Sequence, residues 1–94
     1  MFTTTKKNEL YKKVMERYGI DEQLMVTSEE CAELIKECSK MFRCKGAVSH
    51  LAEEIADVLI MCEQLIKYYG IKCNVEDLVQ QKLTRLSERL HEKE

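Results

Sequence analysis

The chain has 94 residues, of which 45% are apolar and 34% are charged, and its formal net charge at pH 7 is −2. This length predicts a single domain over residues 1–94. The absence of a basic run argues against binding to a nucleic-acid polymer, and no apolar stretch is long enough to span a membrane. Five cysteines without a C-x-x-C pair favour a reducing, cytoplasmic location over a disulfide scaffold.

The pattern of apolar residues predicts four helices, which end near residues 18, 42, 69 and 90. Gly19 and Gly70 fall where the helical pattern lapses, and residues 43–46 are predicted to form a loop. Because the loops are short, neighbouring helices should run antiparallel. The predicted fold is an all-α four-helix antiparallel bundle, and its small core suggests that oligomerisation completes it.

Candidate N-caps precede three of these helices. Thr3 to Thr5 can cap the first helix, and Asp21 can cap the second. Asn74, followed three residues later by Asp77, is predicted to open the fourth helix, which runs into a charged tail over residues 91–94.

One short phrase occurs twice, once on each of the two central helices. Residues 29–38 read EECAELIKEC, and residues 53–62 read EEIADVLIMC. At 100° per residue, each copy predicts an apolar stripe along its helix. The predicted stripe of the second helix contains Leu24, Cys31, Ile35, Cys38 and Phe42, with Leu34 and Met41 beside it. That of the third contains Leu51, Ile55, Val58, Leu59, Cys62, Leu65, Ile66 and Tyr69.

Each copy also places two carboxylates, three residues apart, at one edge of its stripe. These are Glu30 with Glu33, and Glu54 with Asp57, whereas Glu29 and Glu53 point the other way. If the two helices pack antiparallel, the four carboxylates meet, and their mutual repulsion favours a bound divalent cation. Hard oxygen ligands suit Mg²⁺, with Mn²⁺ also possible. Acidic residues are also ordinary at the borders of apolar stripes, so this pattern alone leaves a plain helical bundle open.

At these residues the sequence resembles the MazG-like, all-α nucleoside triphosphate pyrophosphohydrolases. That family carries an E-E-x-x-E helix followed by an E-x-x-D helix, which match residues 29–33 and 54–57. The stretch GIKCNVEDLVQQKLTRLSERL resembles the family's last helix with its lysine and arginine. An asparagine that many members have between those two residues is missing here.

The resemblance implies that Glu30, Glu33, Glu54 and Asp57 are catalytic and bind Mg²⁺. The implied reaction is hydrolysis of a nucleoside triphosphate between its α- and β-phosphates, giving a monophosphate and pyrophosphate. It also implies assembly as a homodimer or homotetramer with sites at subunit interfaces.

Several other polar residues are candidates for contact with the substrate. Gln23 lies on the carboxylate side of the second helix, where the family often has a glutamine that touches substrate; the alternative is a solvated residue at the helix start. Lys82 and Arg89 share a side of the fourth helix with Arg85 and can meet phosphates. His50 is on the face of Glu54 and Asp57, and a surface role is favoured for it.

Two other functions compete with pyrophosphohydrolysis. A di-iron carboxylate bundle needs two E-x-x-H pairs, and the sequence has one, from Glu88 to His91. A non-catalytic helical bundle that binds a partner or a metal is the more serious alternative.

Overall fold

The computed structural model describes residues 1–92 and consists of four α-helices joined by short connections. The helices are α1 (Thr4–Tyr18), α2 (Ile20–Phe42), α3 (Val48–Tyr69) and α4 (Lys72–Glu92). Within the described residues no strand occurs, which confirms the all-α prediction. The four helices contain no segment that combines the length and the hydropathy needed to span a lipid bilayer. Residues 93 and 94, the end of the predicted charged tail, lie outside the described residues.

The helix starts follow the predicted caps in one case and differ in two. The Thr3 hydroxyl accepts a hydrogen bond from the Lys6 amide at 3.1 Å, so the predicted cap of α1 is confirmed. Asp21 does not cap α2, because the N-cap is Gly19, whose φ of 83° and ψ of 162° let α2 begin directly after α1 ends. Asn74 lies inside the first turn of α4, which begins two residues earlier, at Lys72.

The pair formed by α2 and α3 is the centre of the structure. The connection between them folds back on the end of α2, where the Lys45 amide donates to the Lys40 carbonyl at 2.9 Å. Gly46 passes so close to α2 that a Cβ there would lie 3.0 Å from the Met41 backbone nitrogen. This tight return lets α2 and α3 pack along most of their length.

The contact between α2 and α3 is unusually polar. Among residues 1–92, the buried apolar side chains are Tyr11 and Met61, whereas three buried side chains are polar or charged: Gln23, Glu37 and Gln64. Half-buried Thr27, Glu30, Leu34 and Met41 of α2 lie in the same row, facing half-buried Leu51, Glu54, Val58 and Leu65 of α3. A row of this composition supplies few of the apolar contacts that normally stabilise a small domain.

Much of the predicted apolar stripe is exposed. Ile35 is 70% exposed, Phe42 is 90% exposed and Leu59 is 60% exposed. Within residues 1–92, therefore, no other helix covers these three residues of the predicted stripes. The helix-to-helix contact instead uses the row about 90° further round each helix, where the polar residues lie.

The exposed apolar residues of α2 and α3 fall on one side of the helix pair. In an antiparallel pair, stripes displaced in the same rotational sense from the contact lie on the same side. We call this surface the apolar face; its residues are Leu24, Ile35, Cys38 and Phe42 of α2, and Ile55, Leu59, Cys62 and Tyr69 of α3. Glu33 and Asp57 are displaced in the opposite sense, next to Glu30 and Glu54 of the contact row. We call the side formed by these four carboxylates the acidic side.

The outer helices cover little of the central pair. Helix α1 is attached to α3 through Glu63, which accepts hydrogen bonds from the Tyr11 hydroxyl at 2.6 Å and the Lys7 ammonium at 3.3 Å. Between residues 72 and 92 of α4 no side chain is buried, and Val75 is half-buried. The radius of gyration is 16.4 Å, compared with about 12 Å for a compact domain of this length.

Candidate metal centre

Three carboxylates converge on the acidic side of the helix pair. One oxygen from each of Glu30, Glu54 and Asp57 lies within 4.8 Å of the others. Glu54 and Asp57 are three residues apart on α3, so their side chains leave the helix on adjacent turns. Glu30 approaches them from α2. The repeated acidic phrase thus places carboxylates from two helices around one point.

The electrostatics of this trio are unfavourable without a cation. Partial burial raises the pKa of Glu30, and the negative charge and hydrogen-bonding carboxyl of Asp57 raise it further. The pKa of Glu54 is raised first by desolvation and then by the charge of Asp57. One oxygen of Glu54, Oε2, is sealed from solvent and has no hydrogen-bond partner. A bound cation would offset the free-energy cost of burying this unpaired carboxylate oxygen.

The residue types fit a hard divalent ion. Three carboxylates from two helices leave room for waters or phosphate oxygens to complete an octahedral Mg²⁺ or Mn²⁺ shell. The absence of histidine and cysteine from the trio disfavours a zinc site. The chemistry of the donors therefore matches the predicted ion.

Glu33, the fourth predicted ligand, lies beside the trio and not within it. Its side chain is exposed, and its negative charge raises the pKa of both Glu30 and Glu54. Of the four predicted carboxylates, the structure therefore gathers three closely and places Glu33 at the rim.

Glu37 is an acidic residue of this region that the sequence reasoning missed. It is 7% exposed, its Oε1 pairs with Lys40 at 3.6 Å, and its Oε2 is sealed without a partner. Its charge reaches Glu54, whose pKa it helps to raise. The signal was present in the sequence, because Glu37 follows Glu30 by seven residues and so lies two turns along the same face of α2.

Two buried glutamines lie in the same α2–α3 contact. Gln23 is 6% exposed, which contradicts the alternative that it is a solvated residue at the helix start. Gln64 of α3 is equally buried; its amide nitrogen lies 3.8 Å from the Met61 sulfur, and its Oε1 has no partner. Gln64 was not predicted, although it follows Asp57 by seven residues and thus shares its face of α3.

The predicted phosphate-binding cations lie on α4, whereas the trio lies on α2 and α3. Lys82, Arg85 and Arg89 are exposed along α4, which has no buried residue between 72 and 92. Among the described residues, no ion pair joins Lys82 or Arg89 to any carboxylate of the site. His50, also exposed, agrees with the surface role favoured for it.

A separate cleft of about 600 Å³ lies between α1, the end of α3 and the start of α4. Lys7, Tyr11, Glu63, Lys67 and Cys73 are among the residues that line it, and none of the four predicted carboxylates does. Because a metal needs convergent oxygen ligands and not volume alone, we assign the candidate centre to the trio and not to this cleft.

Comparison of the chain with protein-family models, with curated proteins and with solved structures found no match. Any function therefore has to be argued from the carboxylates and from the motif resemblance that they carry.

Proposed function

We propose that this protein hydrolyses nucleoside triphosphates to a nucleoside monophosphate and pyrophosphate, with Mg²⁺ as cofactor, as a member of the MazG-like group. The observation that carries the proposal is the convergence of Glu30, Glu54 and Asp57 from two helices. Their spacing is that of the two acidic motifs that suggested the family.

In the proposed mechanism the three converging carboxylates hold the metal, and Glu33 at the rim adds negative charge. When bound, Mg²⁺ neutralises the triphosphate and lowers the pKa of a water molecule. Water adds across the α–β phosphoanhydride, so that one oxygen of that bond leaves with pyrophosphate. Glu33, which lies at the rim and does not hold the metal in this scheme, would accept the proton that the water loses.

The proposal extends to substrate contacts and assembly. Gln23 is placed by the fold in the same buried row as Glu30, and we propose that it orients the nucleoside. Lys82 and Arg89 are exposed on α4, and we propose that they meet phosphates in a homo-oligomer. The enzyme would act in the cytoplasm.

The test is pyrophosphate release from a panel of ribo- and deoxyribonucleoside triphosphates with Mg²⁺. Glu54→Gln and Glu30→Gln should abolish release, because each removes a ligand charge. Glu29→Gln is the matched control, since Glu29 is adjacent to Glu30 but exposed and outside the trio. Equal activity of the wild type and Glu54→Gln, or no release with any nucleotide, would reject the proposal.

A non-catalytic bundle that binds a metal or a partner is the second candidate, and the broad exposure of the apolar face favours it. Isothermal titration with Mg²⁺ separates the possibilities. Mg²⁺ uptake without nucleotide turnover supports a metal-binding bundle, and no uptake supports a partner-binding bundle.

A further inference from the structure

The cleft between α1, the end of α3 and the start of α4 is separate from the acidic side. Ile66, which lines the cleft, follows Asp57 by nine residues. It therefore lies on the opposite face of α3, about 13 Å further along the helix. The volume of the cleft, about 600 Å³, is within the range of pockets that hold small organic molecules. The cleft is thus a second candidate binding site, distinct from the carboxylate trio.

Three side chains of low exposure give the cleft an apolar floor. Tyr11 of α1 is 6% exposed, and Ile66 of α3 and Val75 of α4 are half-buried. The hydroxyl of Tyr11 donates to Glu63 at 2.6 Å, which holds the ring in place. A fixed aromatic ring beside two branched aliphatic side chains suits the apolar body of a ligand.

The charged groups of the cleft leave one positive charge without a partner. Three lysines and two glutamates line it. Lys7 pairs with Glu63 at 3.3 Å, and Lys72 pairs with Glu76 at 4.0 Å. Among residues 1–92, no ion pair engages Lys67, the third lysine. An acidic group on a ligand would complete the pairing of charges in the cleft.

We propose that this cleft binds a small organic anion, whose apolar body lies on the floor of Tyr11, Ile66 and Val75 and whose acidic group pairs with Lys67. A mainly apolar lining with a few polar groups is the usual composition of a small-molecule site. Such a ligand contacts α1, α3 and α4 at once. Val75 is the one half-buried side chain between residues 72 and 92, so the ligand adds contacts that fix the start of α4. The proposal stands on the cleft and its charges, and it does not depend on pyrophosphohydrolysis.

Two fluorescent probes that differ only in charge test the proposal. The anionic probe is 8-anilinonaphthalene-1-sulfonate, and the neutral probe is N-phenyl-1-naphthylamine, which has the same rings without the sulfonate. We expect the native protein to bind the anionic probe more tightly. Lys67→Gln should weaken binding of the anionic probe by about fivefold, the loss expected for one partly exposed charge pair, and leave the neutral probe unaffected.

Lys45→Gln is the matched control, because Lys45 is exposed in the α2–α3 connection and does not line the cleft. This variant should bind both probes as the wild type does. Equal affinity of the wild type and Lys67→Gln for the anionic probe would overturn the proposal. Tighter binding of the neutral probe would also overturn it, since the probe would then be bound by the exposed apolar face of α2 and α3.

The cysteines locate the bound probe in the unmodified protein. Cys73 lines the cleft, whereas Cys44 lies in the α2–α3 connection, and both are exposed. Labelling with N-ethylmaleimide is followed by peptide mass spectrometry, with and without saturating 8-anilinonaphthalene-1-sulfonate. We expect the probe to slow labelling of Cys73 severalfold and to leave Cys44 unchanged. An unchanged rate at Cys73, or slower labelling of Cys38 and Cys62 on the apolar face in its place, contradicts the proposed site. Neither experiment uses nucleotide turnover, so inactivity of the enzyme leaves the result unaffected.

Discussion

The hydroxyl of Tyr11 connects α1 to α3, and removing it should measure how firmly α1 is attached. In Tyr11→Phe the ring stays in its buried position and the 2.6 Å hydrogen bond to Glu63 is lost. A hydrogen bond to a charged group contributes about 1.5–3 kcal/mol. The Glu63 side chain is 47% exposed and keeps Lys7, so water compensates part of the loss. We expect a decrease of about 1–2 kcal/mol in the free energy of unfolding.

The assay is urea unfolding at fixed protein concentration, followed by circular dichroism. Tyr18→Phe is the control, because Tyr18 is exposed and its contact is with Arg17. The pH dependence supplies a second check. Burial raises the pKa of Tyr11 to about 12, so its contribution is complete below pH 10 and is lost as the pH rises towards 12. The hydrogen bond from Tyr11 lowers the pKa of Glu63, so its contribution is lost only in acid, below about pH 4.5. If both phenylalanine variants unfold alike between pH 6 and 9, Tyr11 does not hold α1 in place.

Three further predictions concern the acidic side and the α1–α2 junction. The pKa values of Glu30 and Glu54 are raised, so in metal-free buffer the folded state should become more stable as pH falls from 7 towards 5. Bound Mg²⁺ should remove this pH dependence. Melting temperatures measured across this pH range with EDTA and with Mg²⁺ test both expectations. Glu37→Gln should raise the melting temperature of the metal-free protein by a few degrees, because it removes a buried negative charge near Glu54. A lower melting temperature would show that the loss of the ion pair with Lys40 outweighs this gain. Gly19→Ala should cost about 1–3 kcal/mol in a urea titration, since only glycine readily adopts a φ of 83° with a ψ of 162°; an unchanged midpoint would contradict this.

The helices and the acidic trio were predictable because both follow from local periodicity. Glycine and threonine signals gave the ends of α1, and the i, i+3 spacing of carboxylates on two helices gave the convergence of Glu54 and Asp57 with Glu30. The helix ends and the pairing of Glu54 with Asp57 depend on residues within two turns of each other, so a helical wheel is enough to derive them. The approach of Glu30 depends in addition on antiparallel packing of α2 against α3, which the short connection between them predicts.

The direction in which α2 faces α3 was not predictable in the same way. Apolar periodicity identifies a stripe that must be covered, but it does not say whether the cover comes from the same chain. Ile35 and Leu59 belong to the predicted apolar stripes and are exposed in the single chain, whereas Gln23 and Gln64 lie in the α2–α3 contact. Sequence reasoning that places apolar residues inward fails where a row of polar residues occupies the intramolecular contact.

The direct junction at Gly19 has a consequence for how the chain tolerates length changes. Only Gly19 separates α1 from α2. The direction of α1 is therefore set by the two backbone dihedral angles of Gly19 and by the hydrogen bonds that Tyr11 and Lys7 donate to Glu63. Adding or deleting a residue within α1 after Tyr11 would turn that ring by about 100° around the helix axis and carry it away from its carboxylate. Evolutionary insertions should therefore accumulate before Thr3 or in the α2–α3 connection, and be absent from the segment between Tyr11 and Gly19.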